Sequence, residues 1–195
     1  TVKSIDLRFF YSAKMLYTID FFKEYVKNII PYIFSVNGQS KKALILDCDN
    51  TLWKGVLGED GYDGIEMSQK TKDGSIFYDV QSNILNLIKK GVIIGLCSKN
   101  NLQDVNQVIK SHPDMQLRDN HIAIKRINWD NKVSNLLEIS NDLDVDTSKM
   151  VYIDDSSFEI NLIKNKLPKV LTLQVPKKLY AVSYTHLTLP TIRSV

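Results

Sequence analysis

From Lys42 onward, short continuous apolar runs alternate with stretches of helical periodicity, and this alternation restricts the chain to one class of fold. The runs fall at 43–46, 92–97, 122–124, 151–153 and 170–173. The first helical pattern is Phe77, Val80, Ile84, Leu87 and Ile88 behind a Ser75 cap, and the second is Leu102, Val105, Val108 and Ile109 behind Asn100. Lys132 opens a third with Val133, Leu136 and Leu137, and Ser157 caps a fourth with Ile160, Ile163 and Leu167. Strands that lack a polar face need cover on both sides. The pattern therefore predicts an α/β domain of three layers, a mostly parallel sheet between helices.

The flanks read differently. Ile19, Phe22, Val26, Ile29 and Ile33 follow helical spacing within 16–36, and Pro31 is expected to bend or split that helix. The polar turn at 37–42 sets the expected boundary: a helical linker over 1–40, then a compact domain over 41–181. The N-terminus lacks an initiator Met and a signal-peptide core, so the chain is expected to begin inside a longer one. The stretch 183–195 alternates weakly, as a last edge strand does, but it resembles a translated sequencing adapter. On the favoured reading 182–195 is a non-native tail, the native chain stops near Tyr180 or Ala181, and His186 and Arg193 carry no function.

With 195 residues, 44% apolar and 24% charged, the chain suits one ordinary domain and excludes disorder. A net charge of +3 falls short of the basic excess that nucleic-acid binding needs. No apolar stretch nears the roughly 18 residues of a membrane span. Cys48 and Cys97 lack disulfide or zinc spacing, which fits a reducing cytoplasm.

In parallel sheets ligands bind beyond the carboxyl ends of the strands, so the residues after each run matter most. Asp47, Cys48, Asp49, Asn50 and Thr51 follow the first run, Ser98, Lys99 and Asn100 the second, and Asp154 and Asp155 end the fourth. Four acidic side chains on one rim repel one another unless a cation neutralises them. Oxygen donors with open positions suit Mg²⁺. An EF-hand calcium loop is excluded by spacing, since the sixth and twelfth positions counted from Asp47 are Leu52 and Gly58. Asp47 and Asp49 lie two residues apart, which lets one carboxylate attack phosphorus while the other exchanges a proton with the leaving oxygen. An isolated Asp pair of this kind also caps turns; the company of Ser98, Lys132 and the acidic pair favours chemistry.

These segments resemble the signature of the haloacid dehalogenase (HAD) superfamily, D-x-D-x-T, a hydroxyl, a Lys and an acidic pair. The resemblance implies a Rossmann-like HAD fold and a phosphatase or phosphotransferase working through an aspartyl phosphate. Asp47 is then the nucleophile, Asp49 the general acid and base, and Thr51 an orienting residue. Ser98 binds a phosphoryl oxygen, Lys132 offsets negative charge, and Lys99 and Asn100 join them as substrate-binding candidates. Asp47, Asp49 through its carbonyl, Asp154 and Asp155 hold Mg²⁺.

More narrowly, 46–53 running into 55–61, with Cys97 to Asn100, His112 to Met115 and Ile127 to Trp129, is similar to the FkbH-like branch, subfamily IIIC. Upstream, Tyr11 to Tyr17 resembles the segment preceding the catalytic domain in that branch. The branch implies a minimal cap or none, a phosphorylated small-molecule substrate such as a phosphoglyceryl compound, and an acyl carrier protein as partner. Glyceryl transfer to that carrier and non-catalytic carrier binding are the alternatives. Lys54 departs from the branch and is expected to put a cation beside the phosphate site. Cys97 is the candidate thiol for acyl transfer, against the plainer reading of a small buried residue. Trp53 and Trp129 are candidates for a substrate wall or for space-filling, and His112 and His121 are expected to be structural.

Overall fold

The computed structural model describes residues 40–176, together with Val26 and Ile29, both helical. The chain divides into two units after Ser40, and the second carries the sheet. The rest of the helix expected over 16–36, the Tyr11 to Tyr17 segment and the tail at 182–195 lie outside the described residues.

Among the described residues five strands form one sheet: β1 (Ala43–Leu46), β2 (Ile93–Ser98), β3 (Ile124–Ile127), β4 (Met150–Asp154) and β5 (Leu171–Gln174). Their order is β3-β2-β1-β4-β5, and every pair is parallel. The α-helices described from Lys41 onward are α1 (Leu57–Asp60), α2 (Gly74–Ile88), α3 (Leu102–Ser111), α4 (Lys132–Asp142) and α5 (Ser157–Lys166). The chain steps outward from β1 to β3, returns to β4 on the other side of β1, and goes on to β5 beyond it. Right-handed crossovers taken in opposite directions put helices on opposite faces. Phe77 and Ile84 of α2 and Val105, Val108 and Ile109 of α3 share a core with Leu44, Leu46, Ile94, Leu96 and Val151. Leu136 and Ile139 of α4 and Ile160 and Ile163 of α5 pack with Ala43, Ile45, Cys97, Met150 and Tyr152. Strand side chains alternate between these two cores, as the period of two requires.

β3 starts later than the apolar run at 122–124 because it is an edge strand that tolerates polar residues. Lys125 pairs with Asp119, and Arg126 pairs with Glu138 and Asp142, which covers that edge with charge. The caps move by one residue. Asn101 rather than Asn100 caps α3, accepting from Gln103 N at 2.8 Å, and Ser156 rather than Ser157 caps α5. Ser75 lies inside α2, its hydroxyl turned back to Lys72 O. Leu137 faces outward.

Between β1 and α2 the only helix is the four-residue α1. No folded cap is inserted there. The loop after β1 is closed by a tight turn in which Asn50 N donates to Gly55 O and Gly55 N to Asn50 Oδ1. Asn50 and Gly55 have φ of 50° and 101°, and asparagine and glycine are the residues that enter this region most readily. Fully buried Gln81 of α2 donates to Leu52 O at 2.8 Å and pins the same loop from below.

Candidate active site

The alternation of strand side chains builds the centre of the site. Asp47 continues the register of Ala43 and Ile45, and Asp154 that of Met150 and Tyr152, so both carboxylates emerge on the face covered by α4 and α5. Asn131 caps α4 by accepting from Val133 N, and that cap turns Lys132 inward as the first residue of the helix. Its ammonium bridges Asp47 Oδ1 at 2.9 Å and Asp154 Oδ2 at 2.6 Å, with all three side chains at most 8% exposed. Asp154 also accepts from Ser156 N at 2.7 Å and from the Tyr152 hydroxyl. Its orientation is therefore fixed by three partners before any ligand arrives.

Two carboxylates share one ammonium here, out of water. Burial and the neighbouring Asp154 raise the Asp47 carboxyl, Lys132 and Ser98 lower it, and the balance stands at about 6. For Lys132, burial disfavours the charged form but Asp47 and Asp154 outweigh it, so its pKa rises and the ammonium stays charged. Asp155 is raised by burial and by Asp154, with Lys132 and a hydrogen bond from Asn50 opposing.

Oxygens of Asp47, Asp154 and Asp155 lie within 4.8 Å of one another, the one such cluster of His, Cys or acidic residues among the described residues. Its donors are all carboxylate oxygens, and Lys132 supplies one positive charge against three negative ones. That donor set fits a hard divalent cation. Three acids converge, however, not four. The Asp49 carboxylate is taken up elsewhere: Oδ1 accepts from Trp53 Nε1 at 2.9 Å and Leu57 N at 3.1 Å, and Oδ2 from Asn100 Nδ2 at 2.8 Å. Alternate residues of an extended strand share a face, but the chain turns after Asp47, and this carries Asp49 to its own partners.

The other predicted residues separate into groups. Ser98 is 2% exposed at the end of β2, and its hydroxyl helps to lower the pKa of the Asp47 carboxyl. Thr51 N donates to Cys48 O in the turn that carries Asp49, and the buried Thr51 hydroxyl has no partner among the described residues. Asn100 bonds Asp49, and Lys99 reaches Glu159 of α5 at 2.8 Å. Lys54 is paired with Asp73 at 2.8 Å rather than left as an unpaired cation. Cys97 is fully buried in the core under α4, and burial first, then nearby carboxylates, push its thiol up to about 12. It is the small core residue of the plainer reading. Cys48 is buried in the opposite core and likewise raised.

Trp53 is fully buried and serves Asp49, whereas Trp129 is 75% exposed. His112 and His121 accept backbone N–H groups of Asp114 and Arg118, a structural use. Sequence reasoning missed Tyr152 and Asn50 as parts of the site. The place of Tyr152 two residues before Asp154 on one strand face was the available signal, since same-face neighbours in a strand touch.

No family model and no curated protein matches the chain. Among solved structures it is similar to the N-terminal part of protein BF1531 from Bacteroides fragilis, which contains a phosphatase domain complexed with Mg. That match has a TM-score of 0.76 and 32% identity over 89% of this chain and 46% of the other. The chain thus spans about half the length of that relative. Two structures of a HAD family enzyme from Bacteroides thetaiotaomicron, one in complex with magnesium and inorganic phosphate, share the fold. Each has a TM-score of 0.50, the identities are 13% and 12%, and they cover 70% of this chain and 95% and 94% of their own. No described helix is long and apolar enough to cross a membrane.

Proposed function

We propose that this chain is a Mg²⁺-dependent phosphohydrolase or phosphotransferase of the haloacid dehalogenase superfamily, acting through an aspartyl phosphate. The observation that carries the reading is the Lys132 ammonium held between Asp47 and Asp154 beside Asp155. A carboxylate kept next to a fixed cation and an acidic metal pocket is equipped to meet a phosphoryl group, whose transfer depends mainly on positioning and charge neutralisation.

An Asp47 oxygen forms a bond to phosphorus as the phosphorus–ester oxygen bond breaks, and the departing oxygen takes its proton from Asp49. Asp49 then removes a proton from water, the resulting oxygen bonds to phosphorus, and the acyl phosphate bond opens to return Asp47 and inorganic phosphate. Lys132 and Ser98 hold the phosphoryl oxygens, and Asp47, Asp154 and Asp155, with the Asp49 carbonyl, would hold Mg²⁺. When bound, the metal neutralises charge between nucleophile and phosphate.

The finer assignment is to the FkbH-like branch, with a phosphoglyceryl substrate. It is supported by the motifs across 41–180 and by the absence of a folded cap between β1 and α2, which leaves room for a large partner. If glyceryl transfer follows dephosphorylation, the acceptor thiol belongs to a carrier protein, because Cys97 is buried and held as a thiol.

The test is Asp47→Asn assayed with an aryl phosphate and with bisphosphoglycerate, in Mg²⁺ and in EDTA. Turnover is expected to vanish with the substitution and with chelation; wild-type rates in the variant would remove the nucleophile. Intact-protein mass after incubation with bisphosphoglycerate and a carrier separates hydrolysis from transfer: an acyl adduct on the carrier supports transfer, and its absence restricts the chain to phosphate release.

A further inference from the structure

Asp49 is held by donors from three separate places, and they do not treat its two oxygens alike. Oδ1 receives the Trp53 indole N–H at 2.9 Å and the Leu57 backbone N–H at 3.1 Å, so both of its lone pairs are engaged. Among the described residues Oδ2 receives only the Asn100 amide, at 2.8 Å, which leaves its second lone pair without a donor there. The directions are not interchangeable. Indole nitrogen is a donor only. The Asn100 amide has its own oxygen against Asn101 N at 3.3 Å, which turns its NH₂ toward Asp49. Trp53 is fully buried and Asn100 4% exposed, while Asp49 is half-buried, so donors packed in the interior hold a carboxyl that solvent still reaches.

We infer that Trp53 and Asn100 are positioning residues that fix the Asp49 carboxyl so that Oδ2 is the oxygen passing the proton to the leaving group. The inference rests on the reading of Asp49 as general acid. In the step concerned, the Asp47–phosphorus bond forms, the phosphorus–ester oxygen bond breaks with its electron pair going to the ester oxygen, and that oxygen takes the proton from Asp49 Oδ2. A leaving oxygen that is a weak base departs without the proton, and one that is a strong base needs it. Loss of the clamp therefore acts on basic leaving groups selectively, which a general loosening of the fold does not.

The experiment compares kcat/KM, which reports aspartyl phosphate formation and not its hydrolysis, for 4-nitrophenyl phosphate and phenyl phosphate in Mg²⁺. The variants are Trp53→Phe, Asn100→Ala and, for reference, Asp49→Asn. Each clamp variant is expected to lose about 10-fold or more on phenyl phosphate and less than about 3-fold on 4-nitrophenyl phosphate, in the same sense as Asp49→Asn. Equal losses on both esters in the clamp variants, with the skew present in Asp49→Asn, overturn the inference. Absence of skew in Asp49→Asn, or turnover by Asp47→Asn, instead removes the underlying reading. Should Trp53→Phe fail to fold, Asn100→Ala decides alone, since it deletes the donor to Oδ2 without touching the indole.

Discussion

At the scale of single residues, the site is a small number of charges whose burial gives each contact weight. Lys132 holds Asp47 and Asp154 together with almost no access to water. Lys132→Met leaves two buried carboxylates without their ammonium, so metal-free protein is expected to lose about 3–5 kcal/mol in urea unfolding, and less when Mg²⁺ supplies a replacement cation. A loss that Mg²⁺ does not diminish would separate the ammonium from the metal pocket. Cys97 is the contrasting case. Its thiol lies among Ile45, Leu136 and Tyr152, and Cys97→Ala should leave phosphate release unchanged while costing stability through the methyl-sized gap. Asp47, Ser98, Lys132, Asp154 and Asp155 were legible in the sequence because each follows an apolar run or opens a helix. The bond from Asn100 to Asp49 was not legible, since Asn100 reaches it from the loop after β2 and nothing local in the chain couples the two.

At the scale of elements, the loops depend on caps and close approaches that set where side chains point. Ser156 caps α5 by accepting from Glu159 N while its own N–H fixes Asp154. Ser156→Ala removes only the hydroxyl, and the expected cost is about 1 kcal/mol in chemical denaturation with Mg²⁺ affinity nearly unchanged, because the backbone N–H remains. Gly74 starts α2, where alanine is ordinarily the better helix former by about 1 kcal/mol. Here a Cβ would stand 2.7 Å from both Ser68 N and Ser68 O, backbone atoms that cannot swing aside. Gly74→Ala is therefore expected to lower the melting temperature despite its propensity. The existence and order of α2 to α5 were readable from apolar spacing, whereas the four-residue α1 was not. Two caps were misplaced by one residue, because Asn100 and Asn101, like Ser156 and Ser157, are chemically equivalent candidates until the course of the chain selects one, and the cap expected at Ser75 falls at Asp73.

At the scale of the whole molecule, protons and metal compete for one pocket, and folding registers the competition. Asp47 is held near 6 in the fold against an ordinary 3.8, so between about pH 4 and 6 the metal-free folded protein keeps a proton that the unfolded chain has released. Stability from this group consequently falls as pH rises through that window, by about 3 kcal/mol in all, and stays low above it. Mg²⁺ should raise the melting temperature more at pH 7 than at pH 4.5, and Asp47→Asn should flatten the pH dependence seen in EDTA; a Mg²⁺ effect independent of pH would break the link. The sequence by itself determined the parallel three-layer class and the strand ends that bear chemistry, because burial on both faces and the position after a strand are local properties written in residue order. Only the tertiary structure decided that three carboxylates rather than four converge, that Tyr152 and Lys132 secure Asp154, and that Trp53 and Asn100 hold Asp49. Those relations depend on the order β3-β2-β1-β4-β5, which brings the ends of distant strands side by side, and distances between them exist only once the sheet has formed.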